Sequence, residues 1–177
     1  MSFRKNASKK KITRIRIKPY LAEYARHRYG CAGEERAVKI PYTSELYHIV
    51  YDGMARRGGE SDPEDWNLAL VLPCRSRHDG GTAVPLKNPR YYDWLPASSV
   101  CRMEDYLQRL FNFEFHQVMM DNEEQGRPLT LLAAVQHFIR SHGLRSVSED
   151  TLLKNYQRFR RRVYPKKVRK YEKKTLI

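Results

Sequence analysis

Long apolar segments are missing from this chain of 177 residues. Its longest apolar runs, such as "LALVL" and "LLAAV", have only five residues, whereas a membrane-spanning helix needs about 20. The basic N-terminal stretch "MSFRKNASKKK" is not followed by the apolar core of a secretory signal. We therefore expect neither a membrane span nor export, and we predict a cytoplasmic protein.

Cysteine is scarce, and the three cysteines, Cys31, Cys74 and Cys101, lie far apart. An odd number of isolated cysteines without an export signal is typical of reduced thiols inside a cell. His27 and Cys31 are four residues apart, as are Cys74 and His78. Neither of these two pairs is completed to a zinc site by a further pair of ligands. We predict no bound metal and no cofactor.

Enzyme signatures are also absent. The segment "ARRGGESD" has a glycine pair but lacks the lysine and serine of a phosphate-binding loop. The sequence contains no histidine-hydrophobic-histidine nickase motif and no convincing tyrosine recombinase pattern. Asp62, Glu64 and Asp65 cluster in a turn, where surface placement is expected. Three further acids fall on a helical segment and are expected to face solvent: Glu104, Asp105 and Glu114. We predict a protein that is not an enzyme.

Positive charge is concentrated at the two ends of the chain, whose formal net charge is +14. Residues 1–30 hold ten Lys or Arg and one acid, and residues 145–177 hold twelve Lys or Arg and three acids. Residues 31–144 have a net charge of −4. Cationic ends on a mildly acidic body favour polyanion binding, with DNA first and RNA as the alternative. A membrane surface fits less well, because neither end has a broad bulky apolar face.

The pattern of apolar residues predicts an α+β fold. Residues 1–11 are expected to form a disordered basic tail, and residues 12–96 a small mixed α/β unit. That unit has about three short strands, in "ITRIRIK", "RAVKIPY" and "WNLALVLPC". It has two helices, in "PYLAEYARHRYG" and "TSELYHIVYDGMARRGG", where Gly30 ends the first and the glycine pair ends the second. Residues 74–97 are expected to form a long loop.

A helical unit is predicted over residues 97–164, followed by a basic tail over residues 165–177. Its first helix covers residues 97–122 and is capped by Ser98 or Ser99. In its second helix, "LTLLAAVQHFIRSHG", five side chains are expected to face the core: Leu131, Leu132, Val135, Phe138 and Ile139.

The segment "HGLRSVSED" predicts a helix-turn-helix with a turn of three to four residues. Gly143 suits the left-handed position that ends a helix, and Leu144 and Val147 can pin the turn to the core. Ser148 is a good N-cap for the next helix. Glu149 and the acid after it lie in its first turn, where negative charge is stabilising.

That last helix divides into two faces at about 100° per residue. Leu152, Tyr156, Phe159 and Val163 form a narrow apolar stripe. The rest of the helix supplies candidate DNA-binding residues: Lys154, Asn155, Gln157, Arg158, Arg161 and Arg162. Phosphate contacts are expected from the following tail: Lys166, Lys167, Arg169 and Lys170. Recognition helices usually contact bases with their N-terminal part, which is acidic here. The helix therefore favours DNA binding more than sequence-specific contact.

The first predicted strand offers a second cationic surface, since Arg14, Arg16 and Lys18 alternate with apolar residues. Two interpretations stay open: additional phosphate contacts, or an edge strand protected by charge. A second hypothesis for function is a single-stranded DNA or RNA binder that uses this cationic strand, with Tyr and Trp side chains stacking on bases. The aromatic residues of "RYYDWL" would stack on bases or pin the long loop to the core. A third hypothesis is a protein–protein adaptor whose basic ends recruit an acidic partner.

Three segments, "KITRIRIKPYLAEYARHRYG", "IPYTSELYHIVYDGM" and "VSEDTLLKNYQRFRRRVYPKK", resemble small basic proteins of Mu-like prophages and related mobile elements of gut anaerobes. The resemblance runs from about Lys11 to Lys167. It implies a bacterial cytoplasm, a mobile element and a nucleic-acid task, as a regulator or as a replication or transposition accessory. It carries no site residues. A homodimer would fit two DNA half-sites, although no coiled-coil heptad demands one.

Overall fold

The structure, a computed structural model, describes residues 11–33, 35–74 and 87–165. Four strands and five helices follow one another in these residues, and the predicted α+β class is confirmed. In chain order they are β1 (Ile12–Ile15), α1 (Pro19–Tyr29), β2 (Cys31–Ala32), β3 (Ala37–Val38), α2 (Glu45–Gly53), β4 (Leu68–Val71), α3 (Ala97–Glu124), α4 (Leu131–Ser141) and α5 (Glu149–Val163).

The strands form one sheet in the order β1-β4-β3-β2. β4 pairs antiparallel with β1 and parallel with β3, and β2 with β3 forms a short antiparallel pair. Thr13 and Ile15 are buried and lie opposite Leu70 and Leu68. Because side chains alternate along a strand, Arg14 lies on the other face of the sheet. β2 is the strand that the sequence did not predict, since two residues carry no alternating pattern.

α2 ends earlier than predicted. Ser44 caps its start, with its hydroxyl accepting a hydrogen bond from the Tyr47 N–H at 3.3 Å. The predicted end at the glycine pair is wrong, because the helix stops at Gly53. Beyond it, Ala55 and Trp94 exchange two backbone hydrogen bonds of 2.9 and 3.2 Å. That pairing holds the chain in an extended conformation that a helix cannot share.

α2 and α3 cross in close contact at Gly53. A Cβ atom added to Gly53 would lie 2.8 Å from the Cβ of Ser99, and the Ser99 hydroxyl donates to the Gly53 carbonyl at 3.0 Å. The predicted cap at Ser98 or Ser99 is therefore wrong. The N-cap position belongs to Pro96, whose carbonyl accepts from the Ser99 N–H at 2.8 Å.

The buried face of α3 turns around the helix along its length. From Ser99 to Met119 every fourth residue is buried. A four-residue step exceeds one helical turn by about 40°, so five steps rotate the buried face by roughly 200°. The helix thus contacts α2 near its start and α4 and α5 near its end.

A chain of aromatic rings joins the helices in the core. The Tyr24 ring of α1 meets Phe111 edge-on at 5.3 Å, and Phe111 meets Phe138 of α4 at 5.6 Å. Phe138 lies 5.1 Å from Phe115, which lies 6.4 Å from Tyr156 of α5. All five side chains are buried. The proposed units on either side of residue 96 therefore share one core.

The turn between α3 and α4 is held by Asn122, whose buried amide group makes hydrogen bonds in both directions with the backbone of Leu129, at 3.0 and 3.1 Å. Thr130 then caps α4. Val135 and Phe138 point inward as predicted, but Leu132 is 45% exposed, so its predicted inward position is wrong.

Candidate nucleic-acid interface

The turn before α5 begins with a Schellman motif. Gly143 has φ +60°, its N–H donates to the Arg140 carbonyl, and the Leu144 N–H donates to the Ile139 carbonyl. The buried Leu144 side chain pins the turn to the core, as predicted. Seven residues, 142–148, separate α4 from α5, so the predicted turn of three to four residues is too short.

The additional residues of this turn reach Glu23 on α1. The Glu23 carboxylate accepts hydrogen bonds from the Arg145 N–H at 2.8 Å, the Ser146 N–H at 3.1 Å and the Ser146 hydroxyl. Partial burial alone would raise the pKa of Glu23, but these hydrogen bonds outweigh it and lower the pKa below its ordinary value. No local sequence signal identifies Glu23, because its partners lie more than a hundred residues away.

The inner face of α5 packs against α3. Ser148 caps the helix, and Leu152 and Tyr156 are buried as predicted. Phe159 is half-buried and stacks on the His116 ring, with centroids 3.9 Å apart. Val163 is 44% exposed, so the predicted apolar stripe ends before it.

Asn155 belongs to this inner face, and its predicted role in DNA contact is wrong. Its side-chain oxygen lies 2.6 Å from His116 Nε2, and its amide nitrogen donates to Asn112 at 3.2 Å. Burial lowers the pKa of His116; the Asn155 hydrogen bond opposes that shift, and the Arg162 charge adds to it. The lowered pKa favours the neutral form of His116, as suits a ring stacked on Phe159.

The exposed side of α5 carries Lys154, Gln157, Arg158, Arg161 and Arg162, which we call the α5 outer surface. Lys154 is partly neutralised, because its Nζ lies 2.6 Å from an Asp150 carboxylate oxygen. An acid, Asp150, therefore borders the N-terminal end of the α5 outer surface. The three arginines are exposed and form no ion pair with any residue in the described part of the chain.

Arg160 differs from the arginines next to it. Its Nε lies 3.3 Å from a carboxylate oxygen of Glu123, whose side chain is only 17% exposed. Burial and the nearby Glu123 carboxylate raise the pKa of Tyr156 to about 12, so its hydroxyl stays protonated at neutral pH. The run "RRR" thus divides into one arginine that anchors α5 to α3 and two that face solvent.

The predicted cationic surface on β1 is neutralised within the fold. Arg14 lies 2.9 Å from Glu35 and 3.5 Å from Asp62. Arg16 pairs with Asp65, and Lys18 lies 3.3 Å from Glu104. β1 is an edge strand of the described sheet, and this pairing favours the interpretation as an edge strand protected by charge. Phosphate contacts by these residues stay a prediction.

Lys166, Lys167, Arg169 and Lys170, predicted to contact phosphates, lie outside the described residues. The same holds for much of the predicted loop over residues 74–97 and for the two terminal tails, apart from Lys11 and Pro165.

Glu114, expected to face solvent, instead joins α1 to α3. Its carboxylate accepts a hydrogen bond from the Tyr24 hydroxyl at 2.5 Å and pairs with Arg28. His142 of the turn lies 3.9 Å from the same carboxylate. Burial lowers the pKa of His142; its hydrogen bond to the Phe138 carbonyl opposes the shift, and neighbouring positive charge adds to it.

Residues 11–33, 35–74 and 87–165 contain neither a metal-binding group nor a membrane-spanning helix. They contain no group of three or more His, Cys, Asp or Glu side chains that could hold a metal ion. None of their helices is both long and apolar enough to cross a membrane.

Comparisons with known proteins give this chain no relative. No family model, no curated protein and no solved structure matches it.

Proposed function

We propose that this protein binds duplex DNA through the α5 outer surface. The observation that supports the proposal is the set of three arginines, Arg158, Arg161 and Arg162, that are exposed and without an ion pair in the described part of the chain. A row of phosphates supplies the counter-charge that such a surface lacks, and counterion release from DNA drives binding.

α5 is also held firmly enough to present a defined surface. Leu152 and Tyr156 anchor it in the aromatic core, and Arg160 adds an ion pair with Glu123 on α3. Glu23 fixes the preceding turn from α1. These contacts hold the α5 backbone in one orientation relative to the body, which reduces the conformational entropy lost on binding.

Contacts with phosphates dominate this proposed mode over contacts with bases. The N-terminal part of a recognition helix usually enters the major groove, but here it carries Glu149 and Asp150. Lys154 is held by Asp150, and Asn155 is turned towards α3. Contacts with phosphates position a protein on DNA without distinguishing sequences.

The biological setting that we propose follows from the resemblance to basic proteins of mobile elements. It is a bacterial cytoplasm, where the protein acts as a regulator or as an accessory in replication or transposition. Sequence-tolerant duplex binding suits an accessory better than an operator-specific repressor. Pairing of two copies would double the number of phosphate contacts.

Duplex binding is tested by fluorescence anisotropy with a labelled 20-base-pair duplex. We expect Arg158→Ala/Arg161→Ala to weaken binding, and Lys39→Ala, which removes an exposed cation outside α5, to leave it nearly unchanged. Unchanged affinity in the double variant contradicts the proposal. A protein adaptor, the alternative function, would show no salt-dependent binding to the duplex at all.

A further inference from the structure

A second basic surface is formed by residues outside α5, where the segments around Ala55 and Trp94 pair. We call it the arginine–tyrosine cleft; it has a volume of about 530 Å³ and is lined by Arg56, Arg57, Arg90, Tyr91 and Asp93. None of these residues belongs to α5, and the proposed duplex contact makes no use of them.

Backbone hydrogen bonds build one wall of the cleft. The two hydrogen bonds between Ala55 and Trp94 set their chain segments side by side. The guanidinium group of Arg57 then lies over the Trp94 ring, 5.2 Å from its centroid, and that of Arg56 lies over Tyr92 at 5.4 Å. Trp94 and Tyr92 are half-buried, so they serve as fixed supports for the arginines.

A turn starting at Asn88 builds the opposite wall. The Asn88 carbonyl accepts from the Tyr91 N–H at 2.9 Å, and its side chain accepts from the Arg90 N–H at 2.9 Å. The preceding Lys87 anchors this turn to the end of α2, with Nζ donating to the carbonyls of Asp52 at 2.5 Å and Met54 at 2.8 Å. The turn holds Arg90 and Tyr91 outward, and Tyr91 is 59% exposed.

Charge pairing leaves the cleft cationic. A carboxylate oxygen of Asp62 lies 2.6 Å from the Arg57 guanidinium and balances its charge. The Lys11 ammonium lies 3.9 Å from the Asp93 carboxylate. Arg56 and Arg90 are exposed and have no ion pair among the described residues. Two uncompensated guanidinium groups therefore line the same cleft as one exposed tyrosine ring. The Arg90 guanidinium lies 5.9 Å from the centre of that ring.

From this arrangement we propose that the cleft binds single-stranded DNA, with the Tyr91 ring stacking on an unpaired base and Arg56 and Arg90 contacting the adjacent phosphates. Aromatic rings beside cationic groups are how sequence-tolerant proteins hold single strands. In a duplex every base is already stacked between its neighbours, so an exposed tyrosine gains contact only with an unpaired base. The site would give the protein a contact for single strands in addition to the duplex contact proposed for α5.

The proposal is tested with a labelled dT12 oligonucleotide and the 20-base-pair duplex. Tyr91→Ala is expected to weaken dT12 binding roughly tenfold, as removal of one stacking ring does in other single-strand sites, and to leave duplex binding unchanged. Tyr91→Phe keeps the ring and should retain most of the affinity. Tyr42→Ala removes another exposed tyrosine, 76% exposed and outside the cleft, and serves as the matched control.

The outcomes separate this proposal from the duplex proposal. Unchanged dT12 affinity in Tyr91→Ala and Arg90→Ala overturns the cleft, whether or not the arginines of α5 bind duplex. Equal weakening of dT12 binding by Tyr42→Ala also overturns it, because the effect is then not local. Tighter binding of an rU12 oligonucleotide than of dT12 overturns the assignment to DNA. Loss of duplex affinity in the α5 arginine variants alone, with dT12 binding intact, supports two separate surfaces.

Discussion

The number of phosphates that α5 contacts can be counted from the salt dependence of duplex binding. The perturbation is Arg158→Gln/Arg161→Gln/Arg162→Gln, which removes the three unpaired cations of the α5 outer surface. Gln resembles Arg in helix propensity, so α5 should remain folded. Each phosphate contact adds about 0.9 to the slope of log affinity against log salt, so three contacts account for about 2.7.

This slope difference translates into a large difference in affinity. Between 50 and 200 mM salt the wild type should lose roughly 40-fold more affinity for the duplex than the triple variant, from a slope difference of about 2.7. The assay is anisotropy of a 20-base-pair duplex at four salt concentrations, with circular dichroism to show that the variant keeps its helices. Arg160 is left in place because its ion pair with Glu123 stabilises the fold.

A control variant that removes the same number of cations elsewhere separates direct contact by α5 from a general effect of net charge. Arg16→Gln/Lys18→Gln/Lys39→Gln also removes three exposed cations, two of which pair with acids in the fold. We expect this control to keep the wild-type slope. An identical slope in the triple α5 variant and the wild type would refute the reasoning. If the slope of log affinity against log salt fell equally in both variants, the long-range electrostatic field of the protein, and not contact by α5, would govern binding.

Three further predictions concern stability and pH. Phe115→Ala should lower the free energy of unfolding by about 3 to 5 kcal/mol, because it removes a fully buried ring; chemical denaturation measures it. Gly53→Ala should destabilise the protein by about 1 to 2 kcal/mol, since the clash with Ser99 outweighs the roughly 1 kcal/mol gain in helix propensity. The lowered pKa of His116 and of His142 means that the folded state favours the neutral ring, whereas the unfolded state takes up protons near pH 6.5. The melting temperature should therefore change little above about pH 7 and fall as the pH drops below about 6.5.

Each of these predictions has a control within the chain. Phe113 lies on the same helix as Phe115 but is 65% exposed, so Phe113→Ala should cost far less; equal losses would contradict the packing argument. Ser99→Gly removes the atom that a Gly53→Ala methyl would meet, so Gly53→Ala should cost less in the Ser99→Gly background than in the wild type. His116→Gln should reduce the fall in melting temperature at acidic pH, while replacement of the exposed His137 should not. A pH profile that is flat from 5 to 8 would contradict the histidine prediction.

Part of the candidate site was predictable from sequence because its signals are local. The cap at Ser148, the left-handed Gly143 and the inward positions of Leu152 and Tyr156 each depend on neighbours within a few residues. The Lys154–Asp150 pair could also have been predicted from the sequence, since residues four apart on a helix lie on the same side. This pair places an acid next to the N-terminal end of the α5 outer surface.

The sequence alone determined the class of fold, the approximate positions of most helices and strands, and the concentration of positive charge at both ends. Only the tertiary structure decided which of those charges are available. It placed Glu35, Asp62, Asp65 and Glu104 against the cations of β1 and its extension, turned Asn155 towards His116, and left three arginines of α5 without partners in the described residues. Secondary structure follows from short-range sterics and periodicity, whereas an ion pair forms between groups that only folding brings within a few ångströms.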